Sequence, residues 1–361
     1  MRTRRGLITS ALIGLALAGL AGALLAAPEA GALQQQATAV PNDPSFGQQW
    51  GLQNTGQTVN GVNGTAGADI HAPAAWSVKN DSHTVVIAEL DSGVDYHHPD
   101  LAGSIWTNPG GIGGCAAGTH GFNLVAGTCD PMDDFGHGTQ VAGVLGAVGN
   151  NGTGITGVAW RTTILPIKWT NSLGRGPTSR LLKALDKVLA LKAAGVNIRV
   201  VNDSPVFTGT GFSQALSDEL DKLAANDILF VTAAGNNKNN NDTSAKYPCD
   251  YRKPNELCVA ATDQHDKLAS FSNFGATTVD LAAPGNNIFT TNPGGGYVSN
   301  KGTSFAAPLV AGSAALVLSV QNMSTTALKA DIVASVDPLS SLAGKVRSGG
   351  RLDLCNALPG C

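Results

Sequence analysis

From Thr84 to Leu90 the chain reads Thr-Val-Val-Ile-Ala-Glu-Leu, apolar at almost every position, and it stops at Asp91-Ser92-Gly93. A strand with one face in water alternates polar and apolar side chains. A strand without that alternation is covered on both faces, which is the condition of a parallel sheet packed between helices. The rest of the chain repeats the unit. Strands are expected over Thr163–Trp169, Val196–Val201 and Ile228–Ala233, with shorter ones at Leu257–Ala261 and Val279–Leu281. Helices are expected from His137 or Gly138 through Leu145, over Ser179–Ala194, over Phe212–Ala225 and near Thr325–Val336. In the second of these, Leu181, Leu182, Leu185, Val188 and Leu189 mark one face, and Gly195 ends it. The alternation predicts an α/β fold: a doubly wound, mostly parallel sheet with helices on both faces. In such sheets ligands sit beyond the C-terminal ends of the strands, where Asp91, Asn202 and Asn236 fall.

A further helix follows Gly302-Thr303-Ser304-Phe305-Ala306-Ala307-Pro308. Leu309 to Val320 is apolar, with small residues from Ala311 to Ala315, so this helix is expected to be buried on most sides. Thr303 reads as its N-cap, with Ser304 in the first turn. Pro308 is tolerated there because early helical N–H groups have no intrahelical partner. The helix N-terminus would favour negative charge beside the Ser304 hydroxyl.

A serine so placed becomes a nucleophile only with a base, an orienting acid and an oxyanion donor. The chain offers each. His137 lies between two glycines in Asp134-Phe135-Gly136-His137-Gly138-Thr139. Asp91 ends the first buried strand. Asn236 ends Thr232-Ala233-Ala234-Gly235-Asn236, just beyond another. Together they predict acyl transfer, with Asn236 and the Ser304 N–H as the oxyanion hole.

The first 32 residues carry Arg2, Arg4 and Arg5, then an apolar stretch from Leu7 to Ala27, then Ala30-Gly31-Ala32. That is the pattern of a signal peptide with its cleavage site. Its removal takes the net charge from −3 to −5. Residues 33–42 read as a flexible leader, and 43–361 as one domain. The exported part holds all six cysteines: Cys115, Cys129, Cys249, Cys258, Cys355 and Cys361. An even count after a signal peptide predicts disulfides. The simplest of several connectivities joins sequence neighbours. No basic block points to nucleic acid, and none of the cysteines forms a Cys-x-x-Cys motif. The expectation is a secreted, extracellular monomer with no stable membrane association.

Leu90-Asp91-Ser92-Gly93-Val94-Asp95, Gly136-His137-Gly138-Thr139 and Gly302-Thr303-Ser304-Phe305-Ala306-Ala307-Pro308 resemble the three signatures of the subtilases, in the order Asp, His, Ser. The resemblance covers roughly residues 42–356, and Pro41-Asn42-Asp43-Pro44 makes it most similar to the thermitase branch. It implies a serine endopeptidase acting on polypeptides, with a subtilisin-like three-layer sandwich. The resemblance also implies structural calcium: Asn150-Asn151-Gly152-Thr153-Gly154-Ile155 resembles the family's calcium loop. Side-chain oxygens would come from Asp43, Asp100 and Asn151, and carbonyls from Gly149, Thr153 and Ile155. Asp130, Asp133 and Asp134 offer a second cluster.

Substrate would lie extended between two edge segments, adding a strand. Gly174-Arg175-Gly176 matches one. The other is Asn202-Asp203-Ser204-Pro205-Val206, where the family keeps Asn-x-Ser, a large apolar residue and glycine. Ser204, Pro205 and Val206 would therefore shape the pocket differently. Family members usually carry a prosegment, and only about ten residues (33–42) separate the signal peptide from the mature-like start. These departures motivate an alternative, a non-catalytic peptide-binding protein of the same fold. An α/β-hydrolase esterase would need Gly-x-Ser-x-Gly, and Ser304 does not sit in that motif.

Overall fold

The computed structural model describes residues 39–204 and 211–361. The signal-peptide segment and most of the leader lie outside them, as do Pro205 and Val206. The chain is already anchored at the end of the expected leader. The Ala39 N–H donates to the Pro73 carbonyl, and Asn42 exchanges hydrogen bonds with Asn150 and Gly152.

Helix α1 (Ala72–Val78) leads into strand β1 (Asp81–Asp91), a short β2 (Phe122–Asn123) and helix α2 (His137–Gly146). Then β3 (Arg161–Lys168), α3 (Thr178–Ala193), β4 (Ile198–Asp203), α4 (Gln214–Ala225), β5 (Leu229–Ala233), β6 (Glu256–Thr262) and β7 (Leu281–Pro284) follow. A hairpin of β8 (Ile288–Asn292) and β9 (Gly296–Asn300) precedes α5 (Thr303–Val320) and α6 (Thr325–Ala334). Then come β10 (Asp337–Pro338) and β11 (Gly350–Arg351), and a short helix α7 (Leu354–Ala357) is last.

Among the described residues the central sheet has nine strands in the order β10-β11-β7-β6-β5-β4-β1-β3-β2, parallel except at the β10–β11 edge. From β1 the chain first builds outward through β2 and β3, then returns to lay β4 on the other side. The order therefore reverses at β1, and the crevice at its C-terminal end is the expected ligand site.

β1 shows why both faces are apolar. Val85 and Ile87 pack with Val200, Val231 and the helices α2 and α5. Val86, Ala88 and Leu90 pack with Leu165, Ile167 and the apolar faces of α3 and α4. Helix α5 is long and apolar enough to cross a bilayer, but 89% of it is buried in this core.

The structure corrects several element ends. β4 runs on to Asp203, because Leu90 and Asp203 are in register. Phe212 precedes α4, which is capped by the Ser213 hydroxyl. Thr303 is not the cap of α5. Gly302 occupies that position, and the Thr303 side chain is used elsewhere. The β8–β9 hairpin was not anticipated, because its Thr- and Asn-rich strands lack a continuous apolar run. The cysteines pair as neighbours: Cys115–Cys129, Cys249–Cys258 and Cys355–Cys361.

Candidate active site

The C-terminal end of β1 and the N-terminus of α2 meet backbone to backbone, and two glycines allow it. A Cβ on Gly138 would stand 2.0 Å from the Gly93 carbonyl oxygen, and one on Gly93 would stand 2.1 Å from the Pro131 oxygen. This close approach seats His137 against Asp91. The His137 Nδ1 lies 2.9 Å from both Asp91 carboxylate oxygens. A carboxylate only accepts, so Nδ1 carries the proton and Nε2 is left as the bare nitrogen. Burial works against a charged imidazole here, but Asp91, with help from Asp133, raises the His137 pKa above its ordinary value.

The loop before α2 is held by Asp133. Its carboxylate accepts from the Ser92 hydroxyl, from the Phe135 and Gly136 N–H groups, and from the N–H and hydroxyl of Thr139. Asp134 pairs instead with the buried Lys168, and Asp130 with Tyr96. The three acids thus turn to different partners. Sequence reasoning gave Asp133 no part in positioning His137; its place three residues before the first glycine was the only signal.

Ser304 stands at the start of α5. Just before it, Asn236 is oriented by Thr303, whose N–H (2.8 Å) and hydroxyl (3.0 Å) both donate to Asn236 Oδ1. The Thr303 hydroxyl in turn accepts from the Gly235 N–H. With Oδ1 so engaged, the Asn236 amide nitrogen faces the nucleophile. A Cβ placed on Gly302 would be 2.8 Å from Ser304 Oγ and 3.4 Å from Asn236 Nδ2. The hydroxyl and the amide therefore border the same small space. Ser304, His137, Asp91 and Asn236 line one cleft of about 300 Å³, together with Phe135, Gly174, Asn300, Lys301 and Phe305. The Phe305 ring rests 5.7 Å from the imidazole. Ser304 and Asn236 thus present a hydroxyl and an N–H donor to one space, in the cleft that His137 also lines.

Gly174 borders the cleft, its Cα against the Phe135 ring, and Arg175 is exposed beside it. Ser204 is buried, and its hydroxyl is bonded to the Asn202 amide. Asp203 is buried beside Asp91. Burial pushes its carboxyl well above the usual range, Asp91 adds to this, and the Trp169 indole opposes it.

Of the expected cation site, Asp43, Asp100, Asn151 and Ile155 are joined by hydrogen bonds. Asp43 accepts from the Asn150 and Asn151 N–H groups, and Asp100 from the Asn151 amide, the Ile155 N–H and the Tyr297 hydroxyl. Both acids are buried. Burial raises the Asp43 pKa, and the Asp100 charge raises it further. Among the described residues neither acid has a Lys or Arg partner. The carbonyls of Gly149, Thr153 and Ile155 accept no N–H there either. Two uncompensated carboxylates and free carbonyl oxygens suit a hard cation such as calcium.

The sequence profile of the subtilase family matches residues 82–349. A thermophilic serine proteinase of Bacillus sp. (strain AK1) is 34% identical over 319 residues, covering 88% of this chain and 69% of that protein. Thermitase of Thermoactinomyces vulgaris is also 34% identical, over 88% of this chain and 99% of its own. Among solved structures, a cold adapted subtilisin-like serine proteinase matches with a TM-score of 0.65 at 27% identity, over 84% of this chain and 97% of that one. A protease of Pseudoalteromonas arctica shares the fold, with a TM-score of 0.73 at 23% identity over 89% and 99% of the two chains.

Proposed function

The chain belongs to the subtilase family of serine proteases, and on that premise we propose that it is a secreted endopeptidase using Asp91, His137 and Ser304. The observation that carries this is the shared space over Gly302, bordered by Ser304 Oγ and Asn236 Nδ2 in the cleft that also holds His137. His137 Nε2 takes the Ser304 proton as Oγ attacks the scissile carbonyl. Asp91 holds the ring by Nδ1 and stabilises the imidazolium. Negative charge gathers on the former carbonyl oxygen, where the Asn236 amide and the Ser304 N–H receive it. The imidazolium then protonates the leaving amine. Water repeats the sequence on the acyl-enzyme and frees Ser304. Polypeptide substrate would extend along Gly174-Arg175-Gly176.

Labelling with a fluorophosphonate tests the triad. The full chain should label and hydrolyse casein, and Ser304→Ala should do neither. A folded wild type that does not label, yet binds peptides, would support the non-catalytic reading instead.

Secretion is supported by the N-terminal pattern and by three disulfides, which persist in oxidising compartments. A calcium ion would be held by Asp43, Asp100, Asn151 and the carbonyls of Gly149, Thr153 and Ile155. Bound there, it would tie the N-terminal segment to the loop after α2. EDTA should lower the melting temperature and calcium should restore it. A melt indifferent to EDTA would count against the site.

A further inference from the structure

We propose that this cleft selects acidic polypeptides, through Lys301 beside Ser304 and through Arg175 and Arg180 along the edge segment. The inference rests on the protease reading and names the substrate class of the same site.

The charge around the cleft is one-sided. The ionisable residues lining it are Asp91, His137 and Lys301. Asp91 is 2% exposed and turned to the imidazole, so it offers no carboxylate to a substrate. Lys301 is exposed, three residues before the nucleophile, and makes no ion pair among the described residues. The nearby acids are already engaged: Asp133 by backbone and hydroxyl donors, Asp134 by Lys168.

A second recess of about 310 Å³ lies on the edge segment, lined by Asn171, Arg175, Gly176, Pro177 and Arg180. It holds two guanidinium groups and no acid. Arg180 is tethered to the Trp169 carbonyl, while the Arg175 side chain has no partner among the described residues. A peptide paired with this segment sends alternate side chains to either face, so separate residues can meet the two recesses. Free cations in a chain of net charge −3 are placed where a substrate passes. They would speed the encounter with acidic peptides and reject basic ones, an effect screened by salt.

The test is a set of internally quenched peptides. Each carries a single Glu or Lys at one of several positions on either side of the scissile bond, in an otherwise uncharged sequence. Rates refer to enzyme titrated with a neutral fluorophosphonate. An exposed attraction and the matching repulsion are each worth a few-fold, so kcat/KM for Glu over Lys should reach about tenfold at the best position at low salt. That ratio should fall as salt rises. Lys301→Glu should invert it at one position, and Arg175→Glu should lower it at a different one. Because each ratio is taken within one protein, partial misfolding cancels. A preference for Lys, no preference at any position, or ratios unmoved by both variants would overturn the proposal. Failure to label with the fluorophosphonate would instead refute the protease reading.

Discussion

Glu89 is the one polar residue in the apolar run of β1, and its burial predicts a measurable pH dependence of stability. It is 1% exposed, on the same strand face as Ile87 and Asp91, and neither carboxylate oxygen has a hydrogen-bond partner among the described residues. Burial pushes its carboxyl well above the ordinary 4.5, and the charges of Asp91 and Asp133 push it further. Helix α5, packed on this face, has no ionisable side chain to offset them. The folded protein therefore keeps the Glu89 proton where the unfolded chain has lost it. Above pH 4.5 the unfolded state gains by releasing that proton, so Glu89 costs stability at about 1.4 kcal/mol per pH unit until its folded pKa is reached. Glu89→Gln removes this dependence. Its amide brings an unmet donor, at about 1–3 kcal/mol, but that cost does not vary with pH. Between pH 5 and pH 7 the variant should gain on the parent, by up to about 1.4 kcal/mol per pH unit. For a chain of this size each kcal/mol is about 1–2 °C in melting temperature. Melts are best compared in a Ser304→Ala background, which prevents autolysis. A difference between the two proteins that is the same at both pH values would refute the reasoning.

Asn236→Ala should lower kcat by ~10²–10³ with little change in KM, a magnitude established on the related subtilisin and carried over here; an equal loss in Ser304 labelling through misfolding would be excluded by the melt. The acid limb of kcat/KM should titrate above 6.5, because His137 must be neutral to act and Asp91 favours its charged form; a midpoint below 6.5 would contradict the arrangement. Replacing Cys115 and Cys129 by Ser opens a loop of sequence separation 14 and should cost about 3 kcal/mol in the chain-entropy account, read as a lower denaturation midpoint.

The sheet was legible because its strands carry a signal that survives without tertiary context. The strand at Leu257–Ala261, for example, is apolar throughout and needs cover on both faces. Their ends were less legible. β4 continues through Asn202 and Asp203, two residues of low strand preference, because pairing with β1 overrides local preference. Thr303 looked like a cap by residue type, yet its hydroxyl serves the Asn236 amide, a partner 67 residues away that no local pattern encodes. The hairpin β8–β9 was hidden for a related reason. Its polar strands are stabilised by α2, where Thr290 and Thr291 donate to the Gln140 and Thr139 carbonyls.

The candidate site follows the same division. Asp91, His137, Asn236 and Ser304 were found from strand ends and glycine neighbours, because backbone proximity leaves a trace in residue size. What surrounds them depends on strand order, which the chain does not spell out locally. β3 places Lys168 in register with Asp91, and β4 places Asp203 in register with Leu90. Lys168 turns to Asp134 and the Ser92 carbonyl. Asp203 and Glu89 are held toward their neutral forms by burial beside Asp91. The same acid thus raises its neighbours' proton affinities and that of His137. The one group able to use the extra affinity is the imidazole in the open cleft, while the two carboxyl groups remain buried. Asp91 and Asp133 are the charges that raise the His137 pKa.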